Sequence, residues 1–468
     1  MWGKLGAPVY GRGFTANIAR RKMLEENQPE NVVNTVSIWP ETVAAGPFKV
    51  AFVPISHSIP ESSSLLITSP AGRIVHSGDF KLDKTPIVGE AFDPDLWQEV
   101  VRDGIKALVC DSTNVFVDEP GRSEATLGDE IEALVASAPN MVVATTFASN
   151  IARIKTLAEA GERAGRSICL MGRAMCRMVD VAIENGLLTE FPHFVSPEEA
   201  KDIPRKNLML LVTGSQGERR AASAQLSNGK FQGLELKEGD LFLFSSKTIP
   251  GNERGVIRII NQLSEKGVDV VDDSNGLYHV SGHANRPDIK EMHKLVQPQI
   301  VIPMHGEHRH LREHCKLAEE SGKTSVLCVN GMMAEISGNE PRILEYIDTG
   351  RVYLDGKVQY GALDGIIRDR IRMALNGIVV INIVMDDEDD LLGEPWVELR
   401  GLPEMGCSDA ALADILEEDL SQYLGCAGSK TRRDDDAIEA GLIKTARQSC
   451  MSEIGKKPEV VVIISRLS

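Results

Sequence analysis

The apolar residues of the chain form two different patterns. Over residues 47–83 the short runs PFKVAFVPI, SSLLITS and GRIVHSGDF are each closed by polar residues, a pattern that predicts strands joined by tight turns. From about residue 125 to residue 275, strand-sized apolar runs alternate with helical stretches such as SNIARIKTLAEAGERAG. Strands separated by helices of this length predict βαβ units and a parallel sheet.

After residue 276 a strand–loop–helix pattern returns, with LYHVSGHA and QIVIPMHG as predicted strands. This pattern could continue the first domain, in which case the region before it is an insertion. The last hundred residues predict the order β, β, α, α, β, which is typical of a small α+β domain. We therefore predict five segments: residues 1–125 begin a first domain, 126–275 form an inserted α/β domain, 276–345 complete the first domain, 346–372 form a polar linker, and 373–468 form a C-terminal domain.

Composition narrows the class of protein. The chain has 468 residues, 42% of them hydrophobic, and its longest apolar runs are strand-sized, so no membrane span is predicted. The eight cysteines form no C-x-x-C pair and the N-terminus has no signal-peptide pattern, which predicts a cytoplasmic protein. The net charge of −17 argues against coating nucleic acid by bulk attraction, although a narrow basic channel remains compatible with it.

Candidate chemistry gathers where predicted strands end. His57 follows one strand, Asp79 another and Asp111 a third, and seven of the ten histidines lie between His279 and His314. Histidine and carboxylate at such ends predict a metal centre with nitrogen and oxygen ligands. Taken singly, His57 could equally be a hydrogen-bonded histidine and Asp79 a turn residue.

The helical histidines after residue 305 invite a plainer interpretation. His308 and His310 point to different faces of the predicted helix, and His310 with His314 would form an exposed pair one turn apart. His293 has no partner that the sequence identifies. We therefore assign these histidines to structure or surface.

Two turns could hold phosphate. In Ser281-Gly282-His283-Ala284, the following Asn285 can cap a helix, so backbone N–H groups would lie beside an acid/base histidine. The turn T-G-S-Q-G-E, with Ser215 at its centre, could cradle a second phosphate, but a purely structural turn explains it as well.

Several strings taken together resemble the bacterial ribonuclease J family: P-I-S-H-S-I-P-E-S, H-S-G-D-F-K-L-D, C-D-S-T-N, T-G-S-Q-G-E, S-S-K-T-I-P-G-N-E, H-V-S-G-H-A and P-M-H-G-E. The resemblance implies a metallo-β-lactamase αββα sandwich with an inserted β-CASP parallel α/β domain and a small α+β C-terminal domain. It implies a two-zinc ribonuclease with 5′-to-3′ exonuclease and endonuclease activity on RNA, preferably 5′-monophosphorylated single strands. Self-association through the C-terminal domain would make it a homodimer or higher homo-oligomer.

The same resemblance implies roles for individual residues. The metal ligands would be His57, Asp79 and His305, with Asp79 as the bridging carboxylate. The groups beside the scissile phosphate would be Asp111 and His283. The turn that holds RNA phosphate would be formed by Ser281, Gly282 and Ala284.

One departure from the family pattern concerns the metal site. The string H-x-H-x-D-H, which the family carries, occurs nowhere in these residues. We therefore expect the sandwich to be incomplete at its N-terminus and this polypeptide, as a truncated form, to be an impaired or inactive nuclease.

Two other functions compete with a ribonuclease. A noncatalytic RNA-binding or assembly subunit would hold little zinc, whereas the enzyme would hold two equivalents. A hydrolase of small esters is disfavoured because it has no use for residues 126–275.

Overall fold

Helices and strands follow one another along the whole chain in the computed structural model, which describes residues 6–338, 340–362 and 364–467. The chain divides into two units, the first ending at Ile347 and the second beginning at Asp348. Among the described residues, every helix is too short or too polar to span a lipid bilayer.

The chain up to residue 111 builds most of a large sheet. Its elements are β1 (Val9–Gly11), α1 (Gly13–Glu25), β2 (Val33–Thr35), β3 (Val43–Ala45), β4 (Phe48–Pro54), β5 (Ser63–Ser69), β6 (Gly72–His76), α2 (Pro94–Val101) and β7 (Ala107–Asp111). Strands β3 to β6 form antiparallel neighbours, and β6 then pairs in parallel with β7. Trp97 of α2 is fully buried against this sheet and donates its indole N–H to the Pro54 carbonyl over 3.1 Å.

A parallel α/β domain is inserted after β7. Its elements are α3 (Gly128–Ser137), β8 (Val142–Thr145), α4 (Ile151–Arg163), β9 (Ser167–Met171), α5 (Arg173–Glu184), β10 (Phe194–Val195), α6 (Pro197–Ala200), β11 (Leu208–Val212), α7 (Ala222–Asn228), β12 (Lys230–Phe231), β13 (Leu234–Glu235), β14 (Leu241–Phe244), α8 (Glu253–Glu265) and β15 (Asp269–Val271). The six-stranded sheet has the order β10-β9-β11-β8-β14-β15 and is parallel throughout. Every residue of its central strands β8, β11 and β14 is buried, as expected for a sheet covered by helices on both faces.

The chain then returns to the large sheet. The elements are α9 (Arg286–Val296), β16 (Ile300–Met304), α10 (His308–Glu320), β17 (Thr324–Ser325), β18 (Met332–Glu335) and β19 (Arg342–Tyr346). Strand β16 pairs in parallel with β7, which gives the order β17-β16-β7-β6-β5-β4-β3. The predicted fold class, an α/β sandwich interrupted by a parallel α/β domain, is confirmed.

One predicted strand has a different conformation. Residues 277–284, LYHVSGHA, pair with no strand in the part of the chain that the structure describes, so the strand prediction here is wrong. The carbonyl groups of Tyr278 and Val280 instead face the guanidinium of Arg153, at 3.5 and 3.4 Å. These carbonyls find a side-chain donor, and the segment needs no neighbouring strand to satisfy them.

The second unit has a sheet covered by helices. Its elements are β20 (Val352–Asp355), β21 (Val358–Gly361), α11 (Ile366–Asn376), β22 (Ile378–Met385), β23 (Trp396–Arg400), α12 (Leu412–Cys426), α13 (Ser429–Arg432), α14 (Asp435–Ile454) and β24 (Glu459–Arg466). In β22 buried residues alternate with partly exposed ones, and the buried face packs on α12 and α14. From residue 378 onward the predicted order β, β, α, α, β is present, with the four-residue helix α13 added between the two long helices.

The segment predicted as a polar linker carries structure. It contains the hairpin of β20 and β21, turned at Gly356 with φ +58°, and the first residues of α11. Arg372 of α11 forms an ion pair of 2.7 Å with Glu459 of β24, so the helix packs with the second unit. Glycine at the first position of a two-residue loop, here Gly356-Lys357, is a hairpin signal, which the polar composition of the segment obscured.

Candidate active site

Four turns meet at one edge of the large sheet. Strands β4, β6, β7 and β16 all run in the same direction, because β4 is separated from β6 by one antiparallel strand and the others are parallel neighbours. Their carboxyl ends carry, in that order, His57, Asp79, Asp111 and His305. Loops at the carboxyl ends of parallel strands are the common place for α/β active sites.

The carboxylate of Asp79 lies between two histidines. Its Oδ2 is 4.0 Å from Nε2 of His57, and its Oδ1 is 3.6 Å from Nε2 of His305. Each histidine thus faces a different oxygen of one carboxylate, which is the arrangement a bridging ligand requires. His305 has φ +53°, a backbone conformation uncommon outside glycine, and this turn directs its ring toward Asp79.

A hydrogen bond at Nδ1 of His57 fixes the orientation of its ring. Its Nδ1 lies 2.7 Å from the carbonyl oxygen of Gly282, so Nδ1 carries the proton and the lone pair of Nε2 faces Asp79. Burial lowers the pKa of His57 and favours the neutral ring. Neutral imidazole and carboxylate are ligands that zinc accepts, so this donor set fits a zinc centre.

Gly282 lets the two turns approach each other. A Cβ at this position would lie 2.1 Å from Oγ of Ser58 and 2.8 Å from Cε1 of His57. Any larger residue would push His57 away, so the glycine of the S-G-H-A turn is needed for the site itself.

Asp111 and His283 form a dyad beside this cluster. Oδ2 of the carboxylate is 2.7 Å from Nδ1 of the ring, and Asp111 is almost fully buried. Burial would lower the pKa of His283, but the hydrogen bond and the charge of Asp111 outweigh it and the net pKa is raised. Burial would raise the pKa of Asp111, but the bonds to His283 and Thr113 outweigh it and the net pKa is lowered.

The free nitrogen of His283 faces the same space as the other histidines. The His283 ring centroid lies 5.1 Å from that of His57 and 5.3 Å from that of His305. One ligand atom from each of His57, Asp79 and His283 falls within 4.8 Å of the others. The dyad and the candidate ligands therefore form one cluster of polar groups.

Two residues whose role the sequence did not disclose join the turns. The hydroxyl of Thr113 lies 2.7 Å from Oδ1 of Asp111 and 3.2 Å from the carbonyl oxygen of His305. The side-chain amide of Asn114 faces Ser281 Oγ at 2.9 Å, Asn285 Oδ1 at 3.0 Å and the His283 carbonyl at 3.2 Å. The only sequence signal for either residue is the polar run D-S-T-N that directly follows a buried strand.

His314 is a correction to the sequence prediction. It is not exposed on α10 but fully buried, and its Nε2 lies 2.9 Å from Nε2 of His293. The planes of the two rings differ by only 26° and their centroids lie 5.0 Å apart, while the short contact joins their nitrogens. Oγ of Ser112 lies 2.9 Å from Nδ1 of His314. The loop after β7 therefore contacts α10 directly and is linked to α9 through the contact between the two histidines.

These buried histidines are neutral. Burial, with a smaller contribution from Lys323, lowers the pKa of His293 to about 4. Burial and the neighbouring His293 lower the pKa of His314 to about 3. Sγ of Cys110 lies within 4.8 Å of one ring nitrogen of each histidine, but the Nε2 atoms of the histidines are engaged with each other.

The S-G-H-A turn has the predicted helix behind it. Asn285 and Asp288 form a capping box at the start of α9, with proline at its first turn. Ser281 Oγ accepts the His283 backbone N–H over 3.1 Å. Ala284 is 1% exposed, so the protein covers its side chain.

Ser215 belongs to a different turn. It follows β11 in the inserted domain and is 3% exposed, and its hydroxyl lies 3.5 Å from the side-chain amide of Gln216. No contact between Ser215 and the four turns is found among the described residues. The structure thus brings together every predicted site residue of the large sheet and its neighbouring turn, but not this one.

A cleft of about 920 Å³ opens beside Asp79 and His305. Its opposite wall is formed by residues 328–332, before and at the start of β18. Burial and the charges of Arg153, Lys247 and Lys81 lower the pKa of His279 to about 3.

Three protein-family models match the chain. The model described as "Ribonuclease J, beta-CASP domain" matches residues 139–263. "Zn-dependent metallo-hydrolase RNA specificity domain" matches residues 275–328, which include the S-G-H-A turn and His305. "Ribonuclease J C-terminal domain" matches residues 365–467.

Curated proteins named "Ribonuclease J" are similar to nearly the whole chain. The protein of Sinorhizobium meliloti is 36% identical over 471 residues, which cover 100% of this chain and 83% of that protein. The protein of Synechocystis sp. is 30% identical over 471 residues, covering 97% of this chain and 73% of that protein. The protein of Corynebacterium glutamicum is 31% identical over 428 residues, covering 90% of this chain and 59% of that protein.

Proposed function

The chain belongs to the ribonuclease J family, and on that premise we propose that it is a zinc-dependent ribonuclease with 5′-to-3′ exonuclease and endonuclease activity. Hydrolysis of RNA is the activity that the family name states. The proposal for this chain is carried by one observation: Asp79 lies between His57 and His305, directly beside the Asp111–His283 dyad.

His57, Asp79 and His305 would hold the metal, with Asp79 as the bridging ligand of two zinc ions. The support is the donor set and the two different oxygens of Asp79 that face the two rings. When bound, zinc neutralises phosphodiester charge and lowers the pKa of water to about 7, which makes hydroxide available for attack.

His283 would act at the leaving oxygen. Asp111 holds its Nδ1 proton and raises its pKa, so the ring keeps a second proton on Nε2 nearer to neutral pH. As the bond from phosphorus to the leaving oxygen breaks, that proton can transfer to the oxygen or stabilise its charge. Asp111 acts by orienting the ring and stabilising its charged form.

RNA phosphate would be held by Ser281, Gly282 and Ala284. The position of this turn at the start of α9, beside His283, supports the proposal, since a helix N-terminus favours an anion. A preference for 5′-monophosphorylated single strands is part of the proposal. The role of Ser215 at a second phosphate stays a prediction, which its burial does not favour.

The test is hydrolysis of 5′-monophosphorylated RNA by the purified 468-residue chain with zinc, and after chelation. We expect nucleotide release that is slower than that of the Sinorhizobium meliloti relative, stops on chelation and is lost in Asp79→Asn together with bound zinc. Asp129→Asn, an exposed carboxylate in the first turn of α3, is the matched control and should behave as wild type. The predicted impairment is checked by measuring the rate beside that of the Sinorhizobium meliloti relative.

A noncatalytic RNA-binding or assembly subunit is the alternative function. RNA binding without bound zinc and without cleavage that depends on Asp79 would favour it over the enzyme. Two equivalents of zinc per chain would exclude it.

Self-association and location complete the proposal. A homodimer or higher homo-oligomer is supported by apolar side chains on one face of the sheet in the second unit, where Trp396 and Ile463 flank Asn382 and are about half exposed. Sedimentation of the purified chain tests it.

A cytoplasmic location is supported by the eight cysteines, all of which are free thiols.

A further inference from the structure

Phe116 is a large apolar side chain held in a rigid, exposed position. Its ring is 49% exposed. Its neighbour Val115 is fully buried, and the backbone on both sides is bonded: Val115 N–H to Ser112, Val117 N–H to Asn114, and Arg286 N–H to Val117, the last over 2.9 Å. The fold therefore presents this phenylalanine to solvent on a fixed loop.

The ring has a cation on one side and an aromatic edge beside it. The guanidinium carbon of Arg309 lies over the ring, 5.6 Å from its centroid. The His310 ring meets it edge to face, with centroids 5.3 Å apart and an angle of 62°. An exposed aromatic face accompanied by arginine is the combination that stacks single-stranded nucleic acid bases.

The position of Phe116 relates it to the proposed chemistry. It lies five residues after Asp111, and its neighbours on α10 follow His305 by four and five residues. Thr113 joins the two segments through its contact with the His305 carbonyl, 3.2 Å away. Because these two segments also carry Asp111 and His305, we expect an aromatic ring here to lie near the nucleotide whose phosphate reaches the Asp79 and His283 cluster.

We propose that Phe116 is a stacking platform for a nucleobase of the RNA chain next to the scissile phosphate. The inference rests on the proposed function, because the base must arrive as part of an RNA strand. The stacking is independent of base identity, since every base has a π face. Arg309 adds a positive charge that favours the neighbouring phosphate.

The experiment is a set of binding measurements that need no cleavage. Wild type, Phe116→Leu and Phe116→Trp are titrated, with metal chelated, against a short fluorescent 5′-monophosphorylated RNA and against copies carrying one abasic nucleotide at each successive position. We expect Phe116→Leu to weaken binding of the intact RNA by about 5- to 150-fold and Phe116→Trp to restore it. One abasic position should weaken binding to wild type but make little further difference in Phe116→Leu.

The control is Phe48→Leu, an equally exposed phenylalanine at the start of β4, far along the strand from the site edge. It should bind every RNA as wild type does. Tight RNA binding that Phe116→Leu leaves unchanged, or equal losses at all abasic positions in both proteins, would overturn the stacking proposal alone. Absence of RNA binding by wild type would overturn the proposed function as well.

Discussion

Asp111 and His283 share a 2.7 Å hydrogen bond although they lie 172 residues apart in the sequence. The whole inserted domain is located between them in the sequence. Asp111 is buried and keeps its carboxylate form through bonds to His283 and Thr113. The histidine is consequently the member of the pair whose protonation can change near neutral pH.

Asp111→Asn should lower kcat for RNA hydrolysis by roughly 10²- to 10⁴-fold, the range for loss of positioned acid–base catalysis. The carboxylate raises the pKa of His283, so its removal should shift the alkaline limb of the kcat–pH profile to lower pH. Zinc content should be unchanged, because Asp111 is not among the proposed ligands. Asp118→Asn, an 84% exposed carboxylate in the same loop, is the control. An unmoved alkaline limb would contradict the assigned role of His283.

The buried pair His293 and His314 should make the protein less stable in mild acid. Both pKa values are lowered in the folded state, to about 4 and about 3, while the unfolded values lie near 6.5, so the unfolded state takes up protons first. The free energy of unfolding should therefore fall as pH drops from about 6.5 toward 4, by up to ~1.4 kcal/mol per pH unit for each histidine.

The measurement is urea unfolding at about pH 7 and about pH 5.5, on either side of the unfolded histidine pKa, for wild type and for His293→Met with His314→Met. Replacing both partners by apolar groups removes the buried donor and the buried acceptor together, so the variant can fold. Its loss of stability between the two pH values should be smaller than that of wild type. His308→Gln, on the exposed side of α10, should leave the loss unchanged. Equal losses in wild type and the double variant would show that the pair does not carry the effect.

The buried ion pair of Arg153 and Glu124 lies where the chain enters the inserted domain. Arg153 also contacts the carbonyls of Tyr278 and Val280, where the chain leaves that domain. Arg153 Nε lies 2.5 Å from Glu124, just before the insert, and Nη1 lies 2.7 Å from the Ser245 carbonyl at the end of β14. Arg153→Met alone would leave the Glu124 carboxylate buried and uncompensated. It should lower the free energy of unfolding by about 3–5 kcal/mol.

Arg153→Met combined with Glu124→Met should recover most of that loss, because no unpaired charge then remains in the core. The half-exposed pair Arg163 and Glu132 is the comparison, and Arg163→Met should cost no more than about 1 kcal/mol. Urea unfolding measures all three variants. A double variant as unstable as Arg153→Met would mean that the guanidinium contributes chiefly through the carbonyls it contacts.

The sequence predicted what local periodicity controls and missed what tertiary contacts decide. The alternation of β8, β11 and β14 with helices was visible because each strand is a continuous apolar run. The segment around Tyr278 and Val280 has the same apolar character, yet a distant arginine satisfies its carbonyls. No local pattern contains that information.

The candidate site shows the same division. His57, Asp79, Asp111 and His305 could be chosen because each follows a strand, and the sheet does place them at one edge. The prediction for His314 was wrong because helical spacing gives the face of a residue but not which face is covered. Its partners His293 and Ser112 come from other elements. Asn114 was overlooked for a similar reason, because its acceptors lie beyond the inserted domain.

The parallel pairing of β7 with β16 has a consequence for synthesis on the ribosome. The nascent chain delivers β7 long before β16, and until then one side of β7 is an unpaired edge in a growing sheet. The insert has its own buried core and can fold in that interval, as domains generally do during translation. Once folded, it holds its two ends near each other and shortens the loop that the final pairing must close. The inserted domain therefore also brings β7 and β16 near each other, which lets the sheet be completed.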